Sequence, residues 1–277
     1  MAEFRNPLAG VAGASEAALS PLLRIMGVSR QRDALGETGH RPWPIPDRPW
    51  FMGQTWCDLL FAHWRVPREE LERVVPPQLP IDSFDGSAWL GVTPFLVSGL
   101  RIRGTLPVPV LSRFPELNVR TYVSVEGKPG IYFLSLDAAS RAAVATARRV
   151  YRLPYHHAEM TQERAPAAVR FSSTRVSRDG PPAAFRGSYR PAGSAPVVGG
   201  SLEYYLAERY CLYTLDERQR VLRGDIHHPP WPLQPAEAEF EVNTMTCPFE
   251  IRLEGEPILH FSRRQDVVLW GLHAVGE

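Results

Sequence analysis

The stretch 116–137, ELNVRTYVSVEGKPGIYFLSLD, constrains this chain more than any other. It holds two alternating apolar runs joined by a glycine- and proline-bearing corner, the pattern of an antiparallel hairpin. Leu117, Val119, Thr121, Val123 and Val125 share one face of the first run, and Asn118, Arg120, Tyr122 and Ser124 share the other. The corner reads as Gly127-Lys128-Pro129-Gly130. Lys128 is the one lysine of the chain; every other member of its Lys and Arg complement is arginine. Either arginine-rich coding left it there, or the position needs an amine that arginine does not supply.

Short β-type runs recur on both sides of this hairpin. Residues 54–64 and 87–100 read as strands before it, with Pro94 marking an edge or a bulge in the second. Between them, residues 67–75 start with proline, carry acidic residues in the first turn and read as a short helix. After the hairpin, residues 138–152 are alanine-rich, lack internal Gly or Pro, and read as the best helix of the chain. Strands are expected at 155–163, 168–176, 184–190, 221–228, 236–242 and in 257–270. The strand at 236–242 turns Glu237, Glu239 and Glu241 to solvent. A second helix is expected at 201–214, capped by Ser201, with Leu202, Tyr205, Leu206, Tyr210 and Tyr213 as a core-facing stripe. Many short strands, two main helices and no βαβ rhythm predict an α+β protein built on an antiparallel barrel or sandwich.

Residues 1–48 read as an N-terminal arm or linker, with a short amphipathic helix from Ser15 and a polar, proline-rich tail that is either a surface arm or disordered. Residues 49–277 read as a single domain. The net charge of +1 gives no electrostatic reason to expect nucleic acid or an anionic membrane. No run approaches the ~20 apolar residues of a membrane span, and the N-terminus does not read as a secretory signal. Cys57, Cys211 and Cys247 are odd in number and outside CxxC spacing, which predicts reduced thiols in a cytoplasmic protein.

Lysine chemistry is the sharpest reading of the hairpin. A neutral amine attacks a carbonyl and forms an imine, an electron sink for decarboxylation, aldol or dehydration steps. Its reference pKa of ~10.4 must then be lowered by burial or a nearby cation. Arg120, close by in sequence, serves either that purpose or the grip of a substrate carboxylate. Glu-Gly-Lys-Pro-Gly is equally plain turn chemistry with an exposed lysine. The adjacent pairs His156-His157 and His227-His228 lack metal-ligand spacing, so no metal or cofactor is expected.

Four segments carry a family resemblance: CDLLFAHWRVPREELERVVPPQLPIDSFDGSAWLGVTPF, FPELNVRTYVSVEGKPGIYFLSLDA, GSLEYYLAERYCLY and GDIHHPPWPLQPAEAEF. They resemble the bacterial DUF2071 family, also called YqjF-like, over about residues 50–272. The resemblance implies an acetoacetate decarboxylase-like fold, a cone-shaped antiparallel β-barrel with flanking helices. It also sets Arg120 and Lys128 near the order of the Arg and the Schiff-base Lys of acetoacetate decarboxylases. The chain departs from that pattern: it lacks the Lys-Lys pair, Pro129 follows the lysine, and Thr121 stands where the decarboxylases have Glu.

Three functional expectations follow. In an enzyme of the lyase type, Lys128 forms an imine with a small oxo acid, Arg120 binds its carboxylate, and Glu116 or Asp137 moves protons. In a non-catalytic binder, Trp56, Tyr132, Tyr205, Trp231 and His228 line an apolar pocket and Arg120 holds a small carboxylate. In a scaffold, the proline-rich arm binds a partner. A homo-oligomer is compatible with all three.

Overall fold

The computed structural model describes residues 27–108, 112–177, 180–193 and 198–276. The helix expected from Ser15 lies outside them. The described elements are α1 (Val28–Asp33), β1 (Met52–Val66), α2 (Arg68–Glu72), β2 (Ala88–Ile102), β3 (Phe114–Val125), β4 (Lys128–Ala138), α3 (Arg141–Tyr151), β5 (Tyr155–Arg164), β6 (Val169–Arg175), β7 (Ala184–Pro191), α4 (Leu202–Ala207), β8 (Cys211–Leu215), β9 (Val221–His227), β10 (Gln234–Asn243), β11 (Ile258–Leu269) and β12 (His273–Ala274). The chain is therefore sheet-rich α+β with few helices, and α3 is the longest of those described.

The strands run in the order β12-β9-β8-β4-β3-β2-β1-β11-β10-β7-β6-β5. Two additional pairings, β9 with β11 and β4 with β5, close this order into strand rings that share β4, β3, β2, β1 and β11. The shared strands have two buried faces. On one, Leu117, Val119 and Val123 pack with Phe171, Phe185 and Tyr189 from β6 and β7. On the other, Phe61, Phe95, Phe133 and Leu136 pack with Val144 and Tyr151 of α3.

The central hairpin is tighter than its sequence suggests. Val125 pairs with Lys128, so the turn is Glu126-Gly127 alone and β4 has begun by Lys128. Both turn residues have positive φ, 51° and 72°, the two-residue geometry whose twist matches that of paired strands; Gly127 meets its half without steric cost. Pro94 sits on β2 where the β1 pairing slips between Cys57 and Ala62, so the bulge relieves the ladder of a donor proline lacks. Asp58, at φ 47°, lies in that slip.

Helix α3 starts where Ser140 Oγ accepts from Ala143 N at 3.2 Å and stops at Arg152, in the left-handed region, ahead of Pro154. The second expected helix is corrected: α4 ends at Ala207, and Cys211–Leu215 is a strand paired with β9. The aromatic and β-branched content of CLYTL, with a ladder partner at hand, overrides the helical spacing of its tyrosines.

Residues 27–48 make side-chain hydrogen bonds to the strands that follow. Gln31 is fully buried and donates to Gly99 O at 3.0 Å while accepting from Arg101 Nε at 2.8 Å. His227 Nε2 donates to Ala34 O at 2.8 Å, which leaves Nδ1 to accept from Arg41 Nη1 at 3.2 Å. Trp270 Nε1 donates to Arg48 O at 2.7 Å. Glu237, Glu239 and Glu241 are exposed, and all three cysteines are unpaired. No helix among the described residues is long and apolar enough to cross a membrane.

Candidate functional site

The alternation of β3 builds the site. Glu116, Asn118 and Arg120 project from one face of this strand into a cavity of about 230 Å³. β2 adds Thr93 and Phe95, the cross-strand partners of Asn118 and Glu116, and β4 adds Ile131, Phe133 and Leu136. From β1 come Met52, Gln54, Trp56 and Leu59. Helix α3 lays a stripe at helical spacing, Ala143, Ala147 and Tyr151, across the cavity, with Ser140 just ahead of it. Two alanines on that stripe leave space that larger residues would fill.

Arg120 forms one end. It is buried, and it makes no ion pair among the described residues. Its Nη2 donates to Leu206 O, in the last turn of α4, at 3.1 Å; its guanidinium carbon lies 4.9 Å from the Phe61 ring centre; its Nε has no hydrogen-bond partner. Tyr122 braces it from two residues along the strand. The Tyr122 hydroxyl donates to the same Leu206 O at 2.8 Å, so His63 Nε2 donates to the Tyr122 oxygen at 2.7 Å. Burial, and next the charge of Arg120, hold His63 neutral. Gly91 lets these groups approach: a Cβ there would lie 3.0 Å from the His63 ring and 3.4 Å from Arg120 Cγ.

Glu116 forms the other end. It is buried between Phe95 on β2 and Ala138 on β4 and receives one hydrogen bond, from the Tyr155 hydroxyl at 3.1 Å. Burial pushes its carboxyl up to about 8, so Glu116 is protonated at neutral pH. Thr93 Oγ1, Asn118 Oδ1 and Tyr151 Oη, all in the cavity wall and buried, have no hydrogen-bond partner among the described residues. A mostly apolar cavity thus carries one buried cation, one neutral acid and several free polar atoms, the composition of a small-molecule site.

The family model described as DUF2071, uncharacterized conserved protein, matches residues 53–266. The chain belongs to the DUF2071 family. The protein named "Uncharacterized protein YqjF" from Bacillus subtilis (strain 168) is 47% identical over 231 residues, which covers 82% of this chain and 94% of the relative. Among solved structures, the enduracididine biosynthesis enzyme MppR complexed with pyruvate superposes with a TM-score of 0.59 at 15% identity, over 86% of this chain and 94% of that one. Acetoacetate decarboxylase from Legionella pneumophila superposes with a TM-score of 0.54 at 12% identity, over 86% and 93%. At these identities the likeness is one of fold, which this DUF2071 chain shares with acetoacetate decarboxylase-like enzymes.

Of the residues expected from sequence, the cavity gathers Trp56, Glu116 and Arg120. Lys128 is not in its wall. β4 sends Ile131 and Phe133 into the cavity, so Lys128 and Tyr132, at the other parity, face the opposite side. The Lys128 carbonyl accepts from Tyr213 at 2.9 Å, and Tyr132 lines a separate cleft with Tyr213 and Arg152. Asp137 pairs with Leu117, on the face away from the cavity, and Arg175 grips it there: Nη2 at 2.8 Å and Nε at 3.0 Å from Oδ1. Tyr205 donates to Asp82 O at 2.9 Å outside the cavity wall. Trp231 stacks on Trp56 from behind, centres 6.0 Å apart, and His228 stacks on Tyr210 with its ring nitrogens on Pro229 O and Arg209 O. Tyr151, Tyr155, Asn118 and Thr93 were missed as site residues. For Asn118 a signal existed, since it shares the Arg120 face of β3.

Proposed function

We propose that this protein holds a small carboxylate with an apolar body in the cavity, noncovalently, with Arg120 as the anion contact. One observation carries the reading. Arg120 is a buried guanidinium without an ion-pair partner among the described residues, set in an apolar wall with its Nε free. A buried charge is stabilised by pairing, and a ligand carboxylate supplies the pair. The volume, about 230 Å³, lies below the ~300 Å³ at which drug-sized pockets begin and suits a small molecule.

The ring of strands, read as a cone-shaped barrel, would give this cavity its wall. A reducing, cytoplasmic working place belongs to the same proposal and draws support from the three unpaired thiols. The reading is of a binding cavity rather than an imine-forming lyase, because the cavity wall lacks Lys128. That MppR was solved with pyruvate supports a small acid as a ligand class for this fold.

The test is calorimetric titration of the whole chain with octanoate and with octanol. Octanoate should bind and octanol should not compete with it. Arg120→Met should weaken octanoate by roughly 10- to 100-fold, the value of a hydrogen bond to a charged group. Equal binding of acid and alcohol, or an Arg120→Met variant of unchanged affinity, would end the proposal.

A further inference from the structure

We infer that the ligand is two-ended, with a carboxylate at Arg120 and a hydrogen-bond acceptor, a carbonyl or hydroxyl oxygen, at the Glu116–Tyr151 end, the two joined by an apolar chain. This inference rests on the reading of the cavity as a carboxylate site and goes beyond it to the ligand's second functional group.

The two ends of the cavity differ in kind. At the Arg120 end the donor is a cation. Away from Arg120, Glu116 and Tyr151 both line the cavity, and both act on Tyr155, whose pKa burial raises most: Glu116 through its hydrogen bond and Tyr151 through an electrostatic interaction that raises it further. Neither is paired with a cation among the described residues. Tyr155 gives its proton to Glu116 Oε1 at 3.1 Å, so Tyr155 is already committed. The Tyr151 hydroxyl, on a residue only 4% exposed, has no hydrogen-bond partner among the described residues. A protonated Glu116 carboxyl and the Tyr151 hydroxyl each have a proton to donate. An uncharged oxygen on the ligand satisfies them, whereas a second carboxylate would be buried there without a cation.

The spacing sets the separation of the two groups. Positions 116 and 120 lie four residues apart on one strand, about 13 Å between Cα atoms. Between them β3 carries Asn118, paired across with Thr93 of β2, while Phe133, Ile131 and Leu136 on the neighbouring β4 make that side of the wall apolar. A three- or four-carbon oxo acid carries its carbonyl one or two atoms from its carboxylate and reaches only one end. An acid of medium chain length, with its oxo or hydroxy group near the far end, reaches both.

The experiment compares octanoate with the same acid bearing a keto group next to its methyl end, by calorimetry on wild type, on Arg120→Met, and on the double variant Glu116→Leu/Tyr151→Phe. The keto acid should bind wild type roughly three- to tenfold tighter than octanoate, as one added hydrogen bond allows. The double variant should lose that advantage, its affinities for the two acids agreeing within about twofold, and retention of the keto acid's preference by a folded double variant would overturn the two-ended ligand. Should the double variant fail to fold, the wild-type comparison decides alone. Equal wild-type affinities for the two acids, both weakened by Arg120→Met, would overturn the two-ended ligand and leave the carboxylate site standing. Absence of binding by either acid, or indifference to Arg120→Met, would overturn both.

Discussion

Tyr155 on β5 donates a hydrogen bond of 3.1 Å to Glu116 on β3, inside a wall that is otherwise largely apolar. Burial outweighs this bond and raises the Glu116 carboxyl to about 8. The unfolded chain titrates near 4.5, so between those values the folded state holds a proton that the unfolded state has released. The contribution of Glu116 to stability is therefore full below pH ~4.5 and falls as pH rises to about 8, by up to about 5 kcal/mol. Glu116→Gln should remove this decline. Urea denaturation of both proteins at several pH values measures it, and parallel curves for wild type and variant would refute the assignment.

Asp137 and Arg175 form a buried ion pair on the other face of the same sheet, at 2.8 Å. Burial raises the Asp137 pKa against the pull of Arg175. Arg175→Met strands a charge and should lower stability by about 3–5 kcal/mol, with octanoate affinity unchanged. Converting both to apolar residues, Asp137→Leu with Arg175→Met, should recover most of the loss. Denaturation midpoints and one titration check this pair.

Gln31 ties the segment before β1 to β2. It bridges Gly99 O and Arg101 Nε, which share no other side-chain partner among the described residues. Gln31→Ala should cost about 1–3 kcal/mol, the penalty for stranding buried polar groups. A melting curve that matches wild type would contradict the docking.

Lys128 should be silent in binding. Lys128→Arg should leave octanoate affinity within twofold of wild type, and borohydride treatment with pyruvate or acetoacetate should add no mass at Lys128. A trapped adduct on that residue would restore the imine reading.

The hairpin and its alternation were legible because period two is written directly in residues 117–125. The same alternation pairs Glu116 with Arg120 on one face. Lys128 was misplaced by the corner: Gly127-Lys128-Pro129-Gly130 looks like a four-residue turn, yet Glu126 takes the left-handed conformation and moves the turn back. The face of Lys128 then follows from register, which sequence does not give. Tyr155 reaches Glu116 across 39 residues of chain, and Tyr151 lines the same cavity only because α3 lies over the sheet. The aromatic character of Tyr205 and Trp231 does not say which side of a wall they take; neither lines this cavity, Tyr205 bonding Asp82 O and Trp231 stacking on Trp56. Gln31 is one polar residue among several in the polar, proline-rich segment before β1, and nothing local marks it as buried.

The most direct test of the central claim is a crystal structure of the whole chain grown with octanoate. The carboxylate should lie within hydrogen-bond distance of the Arg120 guanidinium, with the alkyl chain along Phe133 and Leu136 toward Glu116. A carboxylate bound at Lys128, or a cavity without ligand at saturating octanoate, would contradict it.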